Sequence, residues 1–469
     1  MVNRPPEVGT YRLGWHDQIE YEYSASRGLD ELIVRDLSAR KGESQDVLDR
    51  RLAALEAFLR MPMPVWGGDG ELENIDFDDI RYYMRPTRVR VDDWDEVPIT
   101  IRDTFERLDI PQAEEEVLAG VSAQYDSEVV YHHNRAELDQ LGVIFTDMDT
   151  AVRQHWDLVG QYLGTVVPFD DNKFAALNAA VWSGGSFLYV PAGVHVDLPV
   201  QAYFRINADR LGQFERTLVV VEEGAFVHYI DGCSAANLSA ASLHAGVIEA
   251  VVKRGARCRI TGLQNWSKSV YNLVTKRAVA HEEATMEWID GNIGARLTMN
   301  YPSVILSGSG AHGEVLSIGY AGRGQYQDTG AKMIHLAPGT TSLVTSKSIC
   351  RDGGRAGYRG VVHIEDGARG SRSFVRCDSL ILDSISRTDT HPTIEDGESE
   401  SYVGHEATVS RVSDDQLFYM MSRGLSENEA VSMLIAGFVE PILRELPLAC
   451  AVEINNLIAL DMEAAGAVG

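Results

Sequence analysis

The chain has 469 residues, 24% of them charged, and a formal net charge of −27 at neutral pH. This length allows two or three domains with a sizeable core. The negative charge argues against binding to a nucleic-acid backbone or to an anionic membrane surface, because both attract Lys and Arg. It favours a protein whose partners are other charged proteins.

The cysteines are few and odd in number, which argues against a disulfide framework. No two of them form a Cys-x-x-Cys pair, so the sequence predicts neither a zinc ribbon nor a preformed iron–sulfur ligand motif. The first residues lack the apolar core of a signal peptide, and no apolar run reaches membrane-spanning length, so we expect a cytoplasmic protein. The cysteines are Cys233, Cys258, Cys350, Cys377 and Cys450.

Helical patterns dominate the first part of the chain. Apolar residues recur at helical spacing over 29–39 and 44–59. Further helices are expected over 101–164, with Pro111 opening one of them. We therefore predict that 1–165 is an N-terminal helical domain that packs and offers a partner surface, since it shows no catalytic pattern.

A turn signal returns at a nearly fixed interval through the middle of the chain. It consists of a glycine, once replaced by Glu283, next to a small residue and followed by a β-rich run. The separations are 31, 31, 28, 27, 29 and 28 residues, counted from positions 193, 224, 255, 283, 310, 339 and 367. A period of this length is typical of solenoid folds.

The segments between these turns are short and β-branched, so they are predicted to be strands. Examples are 217–221, 247–252 and 379–382. Two or three strands per ~28 residues with no helix between them indicate a parallel β-helix over 166–410. The alternative is a β-sandwich with glycine turns by chance, but a sandwich has turns about every 8–12 residues and no longer period.

The pattern returns to helix in a C-terminal domain, 411–469. Ser413 starts one helix and Gly424 ends it, while residues 426–429 form a capping box for the next. A last helix is expected over 451–462. Helices on both sides of a β-helix would cover strand edges that otherwise invite pairing with another chain.

The first candidate site combines Cys377 with His405 and Glu406. Cys377 and Glu406 are 29 residues apart, about one coil, and positions one coil apart stack at ~4.8 Å in a β-helix. A thiolate, an imidazole and a carboxylate would then meet at one spot, and together they suit iron. The alternative is a buried cysteine that acts as a small hydrophobe beside a surface turn.

The second candidate is Cys233, which lies 144 residues, about five coils, before Cys377. Stacking places the two thiols on the order of 24 Å apart, so they cannot share one metal. Gln264 and Cys233 each lie nine residues after a turn glycine, so we expect them at equivalent positions on neighbouring coils. Polar residues in strand-like runs form either an inward-pointing file or a solvated face: Arg205, Asn207, Gln264, Trp266 and Lys276.

No nucleophile elbow, Walker loop or Rossmann fingerprint is present in the sequence. One class of function that the predicted fold allows is a cytoplasmic carbohydrate-active enzyme of the β-helix class.

Several short runs resemble the SufB/SufD family, the subunits on which the SUF machine assembles iron–sulfur clusters. The likeness extends from about Gly28 to the C-terminus, and the runs with Gln-Asn-Trp, Cys-Asp-Ser and His-Glu-Ala-Thr favour the SufB branch over SufD. The runs lie at 174–178, 264–266, 274–278, 328–335, 376–379, 405–408 and 415–419.

The resemblance implies a right-handed parallel β-helix between two helical domains, in a complex with SufD and two copies of the ATPase SufC, which docks on the C-terminal helices. It implies that Cys233 accepts persulfide sulfur from a cysteine desulfurase with its sulfur-transfer protein. A transient cluster would form at Cys377, Glu406 and His405 near the SufD interface, for delivery to apo-protein acceptors. The residues matching the sulfur path are Arg205, Asn207, Gln264, Trp266 and Lys276.

The resemblance implies a scaffold without turnover of its own, and the alternative within the family is a SufD-like structural partner that carries no primary cluster. The resemblance also leaves open whether reduced flavin is supplied to the complex. This chain departs from some family members in two respects. It has no cysteine before Cys233, which argues against a cluster in the N-terminal domain, and it has Gly404 where some members carry a glutamate, which removes one possible ligand.

Overall fold

The computed structural model describes residues 14–87, 90–108 and 110–445. The first helix is capped at both ends. Asp30 accepts a hydrogen bond from the Ile33 amide, and Gly42 ends the helix in the left-handed conformation. The predicted helix over 451–462 and Cys450 lie outside the described residues. The helices are α1 Glu31–Lys41, α2 Gln45–Arg60, α3 Ile99–Arg107, α4 Ile110–Val117, α5 Ala136–Gln140, α6 Met148–Gln154, α7 Trp156–Tyr162, α8 Lys173–Val181, α9 Asp414–Met421 and α10 Glu427–Leu443.

Strands occupy most of the chain between α8 and α9. They are β1 Tyr23–Ser24, β2 Met84–Arg85, β3 Gly120–Tyr125, β4 Glu128–Asn134, β5 Ile144–Asp147, β6 Ser186–Val190, β7 Val200–Ile206, β8 Gly212–Gln213, β9 Arg216–Val221, β10 Phe226–Ala235, β11 Ser242–His244, β12 Val247–Val252, β13 Arg257–Trp266, β14 Val270–Ala280, β15 Thr285–Gly294, β16 Leu297–Asn300, β17 Ser303–Leu306, β18 His312–Ala321, β19 Tyr326–His335, β20 Thr341–Cys350, β21 Arg355–Ile364, β22 Arg372–Ile381, β23 Arg387–Asp396 and β24 Tyr402–Arg411.

Two large sheets face each other, and their strands are parallel except for the antiparallel pairs β3–β4 and β5–β6. The order is β24-β22-β20-β18-β15-β13-β10-β7-β3-β4 in the ten-stranded sheet. The twelve-stranded sheet runs β23-β21-β19-β16-β14-β12-β9-β6-β5, with β8, β11 and β17 beside this path. Each coil contributes one strand or strand pair to each sheet. The predicted β-helix is confirmed, with about eight turns.

The predicted turns are where the chain passes from one sheet to the other. All seven positions have positive φ, from 54° at Glu283 to 90° at Gly367. Glycine adopts this left-handed conformation without a steric penalty, whereas a residue with a Cβ atom adopts it at a cost in free energy. The sequence period therefore reflects one backbone requirement that recurs in every coil.

The inside of the β-helix is apolar near the turns. Residues such as Tyr229, Met286 and Trp288 are buried between the two sheets. The outer face of the ten-stranded sheet is covered by α10, whose Ile435 and Val439 pack in one cluster with strand residues. The capping box predicted for this helix is confirmed, since Ser426 and Glu429 bond each other's backbone.

The region 101–164 does not consist of helices only. Strands β3, β4 and β5 lie within it, and β3 pairs in parallel with β7. The segment 120–134 alternates β-branched and aromatic residues on both sides of a turn at Asp126, whose φ is 53°. This alternation is typical of a hairpin, so the helical expectation was wrong here. These strands close the first end of the β-helix.

The helices of the described residues are all too short or too polar to cross a membrane.

We expect Glu283→Gly to raise the free energy of unfolding by roughly 0.5–1 kcal/mol. Left-handed backbone costs a non-glycine residue about 1–2 kcal/mol, and the greater freedom of glycine in the unfolded chain offsets part of this gain. Urea denaturation midpoints measure the change. The matched control is Glu282→Gly, because this exposed neighbour has no positive φ. The control variant should have a lower free energy of unfolding than the wild type. A loss of stability in both variants would contradict the expectation.

Candidate functional site

Two columns of inward-facing positions, most of them polar, run along the ten-stranded sheet, and we call them the polar columns. Their members are in register on successive strands, so neighbours within a column are about 4.8 Å apart. The first column is Asp231, Gly262, Asp290, Ser317, Ser346 and Cys377, and the second is Cys233, Gln264, Asn292, Gly319, Ser348 and Ser379.

Cys233 lies at one end of these columns and is 1% exposed. The Gln264 amide donates a hydrogen bond to Sγ at 3.2 Å, and the Trp266 indole donates to the Gln264 carbonyl oxygen at 2.9 Å. Burial raises the pKa of the Cys233 thiol well above its usual range, and the carboxylates of Asp231 and Glu215 raise it further. The thiol is therefore protonated at neutral pH.

A buried ion pair lies one coil further on. Lys276 Nζ donates to Asp290 Oδ1 at 2.6 Å. A side chain at Gly262 would place its Cβ 2.6 Å from this Nζ, so glycine makes the contact possible. Burial lowers the pKa of Lys276, but the carboxylates of Asp290 and Asp231 outweigh it and the net shift is upward. Lys276 therefore carries a positive charge inside the β-helix.

Two candidate site residues were missed by the sequence analysis, Glu215 and His244. His244 Nε2 lies 2.5 Å from Glu215 Oε1, and its Nδ1 lies 2.7 Å from Asn272 Oδ1. They lie on the wall opposite Cys233, and the oxygen, nitrogen and sulfur atoms of Glu215, His244 and Cys233 are all within 4.8 Å of one another. The spacing of one coil could have identified this pair in the sequence, because residues 215 and 244 are 29 positions apart.

Cys377 lies near the other end of the β-helix, five strands from Cys233 along the sheet. Its Sγ is 3.2 Å from His405 Nε2, and the thiol is 5% exposed. Burial raises the pKa of Cys377 to about 11, Asp378 adds to the rise, and a hydrogen bond with Thr390 opposes it. Cys377 and His405 share a face, since His405 is in register with Val375.

The Glu406 carboxylate does not join this pair. Glu406 is in register with Arg376, so its side chain lies on the opposite face of the strand from Cys377. Only its backbone carbonyl approaches Sγ, at 3.7 Å. The one-coil spacing is thus correct, but the pleat separates the thiol from the carboxylate.

Arg205 and Asn207 also lie apart from the polar columns. Arg205 is in register with Ser234, one residue beyond Cys233, and its guanidinium stacks 4.6 Å from the Trp15 ring on the outer face. Asn207 bonds the backbone of Asp17. These two residues hold the N-terminal segment against the sheet, whereas Gln264, Trp266 and Lys276 face inward.

Hydroxyl groups fill the columns between the two cysteines. Ser317 bonds Ser346 at 3.0 Å, and Ser348 bonds Ser379 at 2.8 Å. Asn292 accepts a hydrogen bond from Asn300 of the opposite sheet at 3.0 Å. Gly262 interrupts the first column and Gly319 the second, but on every strand from β10 to β22 at least one of the two columns carries a polar side chain or a thiol.

We expect iodoacetamide to alkylate Cys377 slowly at pH 8, at a rate that rises about tenfold per pH unit until it levels off near pH 11. The thiolate is the reactive form, and the raised pKa keeps the thiol protonated below that pH. Thr390→Val should slow the reaction further, because it removes a bond that lowers the pKa. Peptide mass spectrometry measures the rate at this residue.

The matched control is Ser348→Ala, which removes a hydroxyl bonded to Ser379 and should leave the rate at Cys377 unchanged. A plateau near pH 9 would show that the thiol has no raised pKa.

Two family models match the chain. The SufBD protein N-terminal region matches residues 39–202. The SufBD core domain of SUF system FeS cluster assembly matches residues 204–438. Together the two matches cover both the helical first part and the β-helix described above.

Curated relatives match over their full length and that of this chain. The iron–sulfur cluster assembly protein SufB of Bacillus subtilis is 53% identical over 469 residues, which is 100% of both chains. Iron–sulfur cluster assembly SufBD family proteins of Staphylococcus saprophyticus and Staphylococcus aureus are 53% and 52% identical over the same length. The likeness to a SufB supports the SufB branch. The chain belongs to the SufBD family of the SUF iron–sulfur cluster assembly system.

Proposed function

We propose that this chain is the scaffold on which a new iron–sulfur cluster forms, with sulfur accepted at Cys233 and assembled with iron at Cys377. The observation that carries the proposal is the pair of polar columns, which together place a polar group on every strand between two buried cysteines. Burying polar groups costs free energy unless they serve a purpose or bond one another. The carbohydrate-active alternative has no support from the family assignment.

Sulfur acceptance at Cys233 is a thiol–persulfide exchange. The Cys233 thiolate attacks the terminal sulfur of a cysteine persulfide on the donor, a cysteine desulfurase with its sulfur-transfer protein. The donor S–S bond breaks, a new S–S bond forms on Cys233, and the donor thiolate takes up the proton. No net oxidation occurs. The Gln264 amide and the Lys276 charge stabilise the thiolate and the persulfide anion.

The transferred sulfur is zero-valent and must gain two electrons to become sulfide. We propose that reduced flavin supplied to the complex provides them. The released hydrosulfide is an anion, and the hydroxyls of Ser317 and Ser346 in the first polar column are the donors it would meet. Arg205 and Asn207 support this path from the outer face of the sheet.

Cluster assembly takes place at Cys377 with iron as a substrate. The thiolate and the His405 imidazole supply two ligands of the soft and borderline kind that iron–sulfur clusters accept. Glu406 is proposed as a ligand only after docking of a partner reorients β24, since its carboxylate now faces outward. The finished cluster passes to apo-protein acceptors.

We propose that SufD docks at this end of the β-helix. The last strands of the two sheets, β23 and β24, are each ten residues long, and no further described strand pairs with their outer edges. Exposed apolar residues such as Ile394, Tyr402 and Val409 lie on them. An unpaired edge of this kind is a template for another strand.

We propose that the ATPase SufC binds the C-terminal domain, 411–469. Helix α9 exposes large apolar side chains, among them Phe418 at 74% and Tyr419 at 59%. Exposed patches of this kind mark protein contact sites. The sequence has no phosphate loop, so ATP hydrolysis is assigned to SufC and this chain, which we place in the cytoplasm, remains a scaffold.

Two sulfur sources separate the roles of the two cysteines. We expect Cys377→Ser to abolish cluster formation with either a desulfurase plus cysteine or inorganic sulfide, because it removes a cluster ligand. Cys233→Ser should fail with the desulfurase but form clusters with sulfide, because sulfide bypasses the acceptor. Visible absorption and Mössbauer spectra of the anaerobic complex measure the clusters.

Cys258→Ala is the matched control, since Cys258 is buried on β13 away from the polar columns, and it should form clusters from both sources. SufC binding checks that each variant is folded. Equal cluster yield in Cys377→Ser and wild type would reject the assigned site.

The polar columns themselves are tested at Ser346. We expect Ser346→Ala to slow desulfurase-dependent cluster formation roughly tenfold, because a hydrogen bond to an anion contributes about 1.5–3 kcal/mol. The sulfide-dependent rate should change less. Ser342→Ala is the matched control, because this buried serine lies on the same strand outside the columns and bonds Ser373. Equal rates in the two variants would argue against passage along the columns.

A further inference from the structure

We propose that Glu215, Cys233 and His244 form a binding site for one divalent transition-metal ion of borderline softness, such as Fe²⁺ or Zn²⁺. The potential ligand atoms, one carboxylate oxygen, the sulfur and one ring nitrogen, lie within 4.8 Å of one another. All three side chains are buried inside the β-helix. The site is separate from Cys377 and His405, which lie five and six strands away from Cys233 along the sheet.

The ligand types define the class of metal. Thiolate, imidazole and carboxylate together are typical of Zn²⁺ and of Fe²⁺, whereas Mg²⁺ and Ca²⁺ take oxygen ligands. Three protein ligands with an open fourth position are the pattern of a reactive metal centre. Asp231 Oδ1 lies 3.9 Å from the Cys233 sulfur and is a further carboxylate beside that position.

His244 is oriented as a metal ligand would be. Its Nδ1 faces the Asn272 carbonyl oxygen at 2.7 Å, so this nitrogen carries the hydrogen. Its Nε2 faces the Glu215 carboxylate at 2.5 Å, and the Cys233 thiol belongs to the same group of ligand atoms within 4.8 Å. Both ring nitrogens of His244 face oxygen acceptors, although a neutral imidazole carries only one N–H group. A metal ion bound to Nε2 takes the place of the missing hydrogen. Support of the distal nitrogen by a fixed acceptor is usual for ligating imidazoles.

The cluster also has more acidic than basic groups. The carboxylates of Glu215, Asp231 and Asp290 are buried together, and Lys276 is the permanent cation among them. Glu215 Oε2 has no hydrogen-bond partner in the described part of the chain. A buried carboxylate oxygen without a partner is costly. A divalent cation supplies both the missing charge and the missing contact.

Glycine leaves room for this carboxylate. A Cβ at Gly246 would lie 2.0 Å from Glu215 Oε1 and 3.2 Å from His244 Nε2. The backbone therefore permits the approach of two ligand atoms at one point. The site stands on this geometry, and only its connection with sulfur acceptance at Cys233 rests on the proposed function.

The test uses cobalt, whose thiolate complexes absorb light, in a Cys377→Ser background that removes the other cysteine–histidine pair. The full chain is produced in cobalt-supplemented medium, so that metal reaches the buried site during folding. We expect about one cobalt ion per chain, with tetrahedral d–d bands and a thiolate-to-cobalt charge-transfer band. No sulfur donor is needed, so failure here is distinct from failure of the proposed function.

Four further variants are made in the same background. Cys233→Ser should lose the charge-transfer band and most of the metal, and Glu215→Gln should weaken retention against a chelator. Asn272→Ala should keep the band but lose roughly 10–100-fold in affinity, as outer-shell changes do. Cys258→Ala, a buried cysteine away from the cluster, should match the background. Circular dichroism confirms folding.

The proposal is overturned if the folded Cys377→Ser protein holds no more cobalt than its Cys233→Ser variant. It is equally overturned if the charge-transfer band persists without Cys233 but disappears in Cys258→Ala.

Discussion

Hydrogen bonding between successive parallel strands fixes where every inward-facing side chain of this protein lies. Because the strands stack at about 4.8 Å, a residue on one coil meets a residue some 26–32 positions away, and neighbours in sequence point to opposite faces of the sheet. Polar residues at such intervals in the sequence therefore form a column in the structure. The two polar columns that contain Cys233 and Cys377 arise in this way, and their direction is set by backbone geometry alone.

The fold could be predicted because its turns impose one conformational demand at every coil. Left-handed backbone at Gly224 or Gly339 selects glycine, and the repeated selection leaves a period that is visible in the sequence. The strands over 120–134 were harder to predict. They belong to the closing hairpin and not to the repeat, so the turn period does not predict them. Only the local alternation of residue types identifies them as strands.

The sequence predicted the coil on which each candidate site residue lies, but not the face of the strand to which its side chain points. Coil spacing placed Cys233 beside Gln264 and His405 beside Cys377 correctly. A shift of one residue moves a side chain to the other face of a strand, and the coils vary in length by several residues. For this reason Glu406 and Arg205 belong to the right coils but point away from the polar columns. A contact between residues of the two facing sheets depends on the positions of both sheets. The residue spacing from coil to coil within one sheet therefore does not predict it.

The two ends of the polar columns differ in what surrounds them. Near Cys233 the hairpin strands β3 and β4 and the N-terminal segment close the sheet, and the interior holds carboxylates balanced in part by Lys276. Near Cys377 no further described strand pairs with the outer edges of β23 and β24. Charges buried away from water are tolerated only where fixed partners stand beside them, so the ionic cluster belongs at the closed end. In the proposed function the closed end would accept sulfur, and the end whose strand edges have no described partner would release the assembled cluster.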